Sequence, residues 1–393
     1  MGVNSNYRRN GMERRMGTDK ISANEIKAKN RQNIYQYIRE RGSVSKQEIV
    51  VDMQLSLPTV TANLDYLKKQ GLIDTSGKIK HTGGRNATAF SYIKNARTAI
   101  GVDITANHIT AVAVDLSGEI VSMERRRIQF NLEDDLYLRE IGEVVECVKR
   151  DAQIADTNLL GVGISVQSLI SNDGEYIEYG KALNFTRRRR EEIAAYVPYR
   201  SRLVHDSYAA GYRETWTNHK FQNAFYISLS NSVGGSVIID DAIYEGNTHK
   251  GGEIGHLEVV SEGGELCYCG RRGCFDTVCR AGKLTDYTEG SLEEFFHLLE
   301  NGDETARSLW DTYLDHLSRA IHNVRMLFDG MVILGGYVGA YMGKYLDDIY
   351  RRVDERNPFG DRAKDYLVEC QYKVEASAAG AALFYIDEFL ENI

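Results

Sequence analysis

Apolar residues recur at helical spacing from Asn24 to Gly42, with positions 26, 34, 37 and 38 on one face and Gly42 as a natural stop. Ser45-Lys-Gln-Glu48 reads as a capping box that opens a short second helix running to about Met53. After the turn Gln54-Leu55-Ser56, a third helix is predicted over Leu57–Lys69, capped by Ser56 and with Pro58 in its first turn. Val60, Leu64 and Leu67 fall on its inward face, which leaves Thr59, Thr61, Ala62 and Asn63 outward. Beyond Gly71 the period shortens. Ile73–Asp74 with Lys78–Lys80, and then Ala89–Ile93, predict short strands on either side of Thr82-Gly83-Gly84-Arg85-Asn86. From Ala99 the pattern predicts a strand ending at Asp103, a second over Ile109–Asp115, a Ser-Gly turn and a third strand. A similar unit returns at Asn223–Leu229, Gly235–Asp240 and Ala242–Tyr244. That return predicts an α/β body duplicated internally. Residues 1–23 lack periodicity and are expected to form a disordered basic arm.

Charge divides the chain along the same line. Residues 1–97 hold 18 Lys+Arg against 8 Asp+Glu, a balance of +10; the remainder holds 30 against 48, a balance of −18, and the two sum to −8. A basic first quarter on an acidic body suggests a polyanion-binding module joined to something else. No run of ~18 apolar residues offers a membrane span. The basic N-terminus lacks an apolar secretory core, so a cytoplasmic location without membrane partners is expected.

The first hundred residues resemble a winged helix-turn-helix domain of the MarR-like type, placed at residues 24–95. The resemblance implies that the third helix enters the major groove of double-stranded operator DNA. Ser56, Thr59, Thr61, Ala62 and Asn63 would then meet the DNA, and Arg85 on the wing would reach a minor groove. A protein–protein module of the same shape is the alternative, disfavoured by the positive charge.

Four of the six cysteines lie within 13 positions, 267 to 279, which in a large intracellular chain favours metal over disulfides. His256, Cys267, Cys269 and Cys274 make a closed Cys3His set suited to tetrahedral Zn2+. With four protein ligands no position stays open for water, so the zinc is expected to be structural. Cys279 is a fifth candidate, read as structural.

Val204-His205-Asp206-Ser-Tyr-Ala-Ala210, Gly252-Glu-Ile-Gly-His256 with its Cys-x-Cys-Gly-x-x-Gly-Cys, Val332-Ile-Leu-Gly-Gly-Tyr-Val338 and Ser377-Ala-Ala-Gly-Ala-Ala382 together resemble the ROK family of bacterial sugar kinases and sugar-responsive repressors. The resemblance covers residues 98–393 and implies an actin/hexokinase-like fold of two lobes, divided near residue 210. A winged domain ahead of such a body is the layout of the family's repressor branch, similar to xylose-type repressors. By resemblance, one ring nitrogen of His256 binds zinc and the other reaches a sugar. Glu253, Asn184 and Asp206 match further sugar-contacting positions, and His205 and Asp276 stand where the family usually has Asn and Glu.

A kinase of this family needs a base, which Asp206 matches, and two Gly/Thr-rich turns that approach ATP phosphates. Here the first turn is Asp103-Ile-Thr-Ala-Asn107 and the second Ser230-Asn-Ser-Val-Gly-Gly235, each short of its usual glycines. Side chains there obstruct close backbone approach. Asp206 is therefore read as a vestigial base and the chain as no enzyme. The expectation is a repressor, as a homodimer or dimer of dimers, that responds to a small sugar or sugar phosphate. An ATP-dependent sugar kinase carrying a DNA-binding domain is the alternative, and a zinc-operated switch is a third class. Arg187–Arg190 reads as a solvated loop partly neutralised by Glu191 and Glu192, or else as a phosphate clamp.

Overall fold

A computed structural model describes residues 22–79, 87–216, 218 and 221–393. Helix α1 (Ala23–Arg41) is closed by Ser22 and Glu25 in a capping box and ends at Gly42 in positive φ. Strand β1 (Val44–Ser45) leads into α2 (Lys46–Asp52), whose capping box is the predicted Ser45–Glu48 pair. Helix α3 (Leu57–Lys69) is capped by Ser56 and buries Val60, Leu64 and Leu67 as its spacing requires. Strands β2 (Ile73–Ile79) and β3 (Ala87–Tyr92) pair antiparallel, and β1 adds to β3.

The body begins with β4 (Thr98–Ile104), β5 (His108–Asp115) and β6 (Ile120–Arg127), followed by α4 (Asp135–Asp151) and β7 (Leu159–Val166). A small hairpin of β8 (Leu169–Ile170) and β9 (Ile177–Tyr179) precedes α5 (Arg190–Ile193), β10 (Ser201–His205) and α6 (Asp206–Thr215). The five main strands run in the order β10-β7-β4-β5-β6. Strands β4 and β5 are buried almost throughout, whereas β6 alternates as an edge strand with one face in water must.

A second sheet repeats the plan. Strands β11 (Ala224–Leu229), β12 (Val233–Ile239) and β13 (Ala242–Ile243) run antiparallel. The chain then passes through α7 (Phe275–Cys279), α8 (Gly282–Thr285), α9 (Leu292–Glu300) and α10 (Glu304–Leu327). Next come β14 (Met331–Gly335), α11 (Gly336–Gly339), α12 (Leu346–Asp354) and β15 (Leu367–Glu369). The order β13-β12-β11-β14-β15, three antiparallel strands and then two parallel ones, matches that of the first sheet, so the duplication extends to topology.

The last helix, α13 (Ala376–Glu391), returns to pack on α6, β4 and β7 of the first half. Its small residues have a steric cause. A Cβ at Gly380 would collide with the Ala209 carbonyl, and one at Gly101 with that of Ala378. Helix and sheet approach at backbone distance, which only Gly and Ala permit. Its other face joins the N-terminal module. Ile34, Tyr35, Ile38 and Leu67 belong to one continuous buried core with Leu383, Ile386 and Leu390. No described helix is long and apolar enough to cross a membrane.

Candidate functional site: a polar cleft beside a cysteine-histidine knot

The parallel register of β4 and β7 sets Asp103 beside Ser165, whose hydroxyl donates to Asp103 Oδ1 at 2.9 Å. Burial, then the nearby Asp206 carboxylate, pushes Asp103 up to about 7. His205 ends β10 and caps α6, so Asp206 opens that helix at the same edge of the sheet. His205 Nε2 lies 3.1 Å from Glu253 Oε1, and its Nδ1 lies 3.2 Å from Asp206 Oδ1. Burial opposes charge on this imidazole, but the Glu253 hydrogen bond and the two carboxylates outweigh it and hold its pKa above the ordinary value. Burial likewise raises Asp206, with His205 opposing. For Glu253 burial also disfavours the charged form, yet His205 and His256 pull it below the usual carboxylate range. The Tyr208 ring stacks on His205 at 4.5 Å and its hydroxyl donates to the Gly251 carbonyl at 2.7 Å.

Glu253 immediately precedes the short turn Ile254–His256, so the same turn delivers His256 to the thiols. The ligand atoms of His256, Cys267, Cys269 and Cys274 all lie within 4.8 Å of one another. Cys269 Sγ is 3.7 Å from Cys274 Sγ, and Cys267 Sγ is 3.7 Å from His256 Nδ1. A tetrahedron with ~2.3 Å arms to sulfur has edges of ~3.8 Å, so the set is spaced for a metal ion; a disulfide needs ~2 Å. Without a cation, burial pushes the Cys274 thiol up to about 12. A divalent ion supplies the charge that lets such thiols ionise. Cys279 lies apart, buried, with its thiol on the Tyr313 carbonyl.

The remaining expected residues are distributed unevenly. Asp276 is 2 % exposed, and its Oδ1 accepts the Val233 N–H at 2.8 Å, so at least one oxygen braces the turn before β12. Asn184 sits on an exposed loop at φ 56°, above the buried Phe185, and its side chain has no hydrogen bond to this group among the described residues. Across the cleft, Tyr337 lies against Thr105 of the first turn, where the Asp103 carboxylate acts on its hydroxyl, and its N–H donates to Ser230 Oγ of the second at 3.3 Å. Sequence reasoning passed over Ser165, Tyr208 and Tyr337. Tyr208, three residues after His205 on α6, carried a spacing signal; Tyr337 and Ser165 reach the site only through the fold.

On α3, Ser56 and Ala62 are exposed, and Thr59 and Thr61 are half-buried. The outward placement expected for Asn63 is corrected: it is 2 % exposed, with its Nδ2 on the Thr59 carbonyl at 2.8 Å. Its amide turns back on the helix because position 63 lies beside Val60, Leu64 and Leu67 on the packed face. Leu57, Pro58 and Tyr66 are exposed on α3 as well. Arg85 and residues 1–21 of the basic arm lie outside the described residues. In the arginine run, Arg188 pairs with Glu133 and Glu192, and Arg190 with Glu175 and Glu191.

The model of the ROK family matches residues 99–388. The chain belongs to the ROK family. It is 22% identical over 382 residues to the xylose repressor of Bacillus subtilis, covering 94% of this chain and 97% of that one. It is 23% identical over 332 residues to the transcriptional dual regulator NagC of Escherichia coli, covering 81% and 76%. Among solved structures, a ROK family transcriptional regulator homologous to Escherichia coli MLC superposes with TM-score 0.72 at 20% identity, covering 93% of this chain and 97% of that chain. The ROK glucokinase of Streptomyces griseus, with glucose and AMPPNP, superposes with TM-score 0.61 at 21% identity and covers 73% of this ROK chain and 98% of its own.

Proposed function

We propose that this ROK protein is a sugar-responsive transcriptional repressor of carbohydrate-utilisation genes. The carrying observation is that the cleft group of His205, Asp206 and Glu253 stands at one end of α6, while the other end meets the N-terminal module. There the Trp216 ring carries the Arg39 guanidinium of α1 at 4.7 Å and its Nε1 donates to Asp387 of α13 at 2.9 Å. Residues 24–95 bind operator DNA through the exposed end of α3, with Ser56 and Ala62 foremost. A sugar in the cleft exchanges hydrogen bonds with Asp206, Glu253 and His256. A carboxylate accepts two hydroxyls, and an imidazole fixed through Nδ1 keeps Nε2 for a third. His256, Cys267, Cys269 and Cys274 hold a structural zinc ion, which supplies positive charge and locks the loop that carries His256. Two copies read a pseudo-palindromic operator. Sugar acts on DNA binding by preferring one arrangement of lobes and heads.

No phosphoryl transfer is assigned to the cleft. Thr105 and Ala106 in the first turn carry side chains where the family's kinases have glycines, and this supports reading the turn as unable to bring backbone amides up to ATP phosphates. The buried, raised Asp206 favours one rival, a sugar kinase with a DNA-binding head. One pair of measurements decides between them. Operator fragments selected by the full-length protein from random DNA are titrated by fluorescence anisotropy with and without a sugar panel, and the same sugars with ATP enter a coupled kinase assay. A sugar-dependent change in DNA affinity without turnover is expected; turnover at tens per second, or DNA binding indifferent to every sugar, overturns the reading.

A further inference from the structure

The arginines around the edge strand β10 border a cavity of about 300 Å3 that the sugar cleft does not use. Arg190, Arg200, Ser201, Arg202 and Asn172 line it. Its two carboxylates are already engaged. Asp173 accepts from the Ser171 hydroxyl and the Glu175 N–H, and Glu175 pairs with Arg190 Nε at 2.6 Å. Arg200 pairs with Glu388 at 2.8 Å. Arg202 differs: it has no ion pair among the described residues, and its Nε is buried without an acceptor. Its guanidinium lies over the Phe384 ring at 5.2 Å, and that of Arg200 over Tyr385 at 5.3 Å. These cation–π contacts with rings of α13 help to hold both guanidiniums in place, and that of Arg202 keeps its Nε unpaired.

We infer that this cavity is a second binding site, for a phosphate group, either free or as the monoester of a small metabolite. Arg202, the one of the three guanidiniums without a carboxylate among the described residues, faces a space it shares with Arg190, Arg200 and the Ser201 hydroxyl, which accepts from Arg190 Nη1 at 3.0 Å. That concentration of donors suits a tetrahedral dianion better than a carboxylate, which one fork satisfies. Asn172 and Arg202 also line the adjoining groove that contains His205 and Tyr208, so the two sites are neighbours. Phe384, beneath Arg202, stacks on Tyr212 of α6 at 5.0 Å. An anion that fixes Arg202 therefore acts on the helix that runs from the cleft to Trp216. The phosphate site stands independently of the sugar reading.

Calorimetric titration of the full-length protein tests it, with inorganic phosphate, a hexose 6-phosphate and the free hexose as separate arms. Saturable binding of phosphate or of the ester is expected, weakened at least tenfold in R202Q and less in R202K, which keeps the charge but loses the fork. Circular dichroism melts confirm that each variant is folded. Equal binding of phosphate and ester identifies free phosphate as sufficient; binding of the ester alone identifies an esterified ligand; either supports the site. Absence of both at about 10 mM, or equal affinity in wild type and folded R202Q and R202K, overturns it. Failure here with a free sugar still bound leaves the repressor reading intact, and the reverse result separates them the other way.

Discussion

His256 holds two environments together. Its Nδ1 faces Cys267 while Glu253, three residues earlier, meets His205. H256A and C269S should both lose bound metal, measured by mass spectrometry of the purified protein, and both should lose the response to sugar. Operator binding without sugar should persist, because α1–α3 and their caps are untouched. Asp103 makes a different prediction. Its folded value of about 7 stands above the ordinary 3.8, so burial favours the protonated form. The stability tied to that proton is complete below about pH 4 and is lost as pH rises through about 7. D103N removes the titration and keeps an acceptor for Ser165. It should flatten melting temperature against pH across that window and stabilise the protein at pH 8, on the order of 2 kcal/mol. An unchanged pH slope would refute the assignment.

At the scale of elements, α6 and α13 form the joint between cleft and head. Gly380 fits against the Ala209 carbonyl, where a larger side chain must push the helices apart. G380V should cost about 3 kcal/mol or prevent folding, read by urea denaturation. W216A is the more informative change. It removes the ring shared by Arg39 of α1 and Asp387 of α13. Sugar affinity and operator affinity should each survive, while the effect of one on the other falls at least fivefold in anisotropy titrations. The helix caps at Ser45 and Ser56 were legible in advance because capping is local chemistry, a hydroxyl and the backbone three residues on. Asn63 was misplaced because its facing depends on packing around Val60 and Leu67, and a polar residue at a boundary position has no periodicity of its own.

For the whole molecule, removing metal with a chelator should lower the melting temperature and abolish sugar-induced changes in DNA binding. If zinc itself were the switch, chelation would change operator affinity with no sugar present. The charge division between head and body implies operator affinity that falls steeply with salt, by about 0.9 log unit per log unit of salt for each phosphate contacted. A slope near zero would argue against DNA as the partner of the head.

Spacing within the chain already determined the helices of the head, the repeated strand units and the Cys3His set. Each rests on residues close in sequence: a cap three positions away, strands joined by a turn, cysteines two and five apart. His205, Asp206 and Glu253 were proposed from the sequence by resemblance and not by geometry. Tertiary structure decided what required distant segments to meet. It placed Glu253 on His205 across 48 positions and brought Tyr337 against the first turn. It turned an oxygen of Asp276 onto a backbone N–H and set Arg200 and Arg202 over rings of α13. Those contacts depend on how two sheets and a returning helix pack, and packing is a property of surfaces that no local pattern encodes.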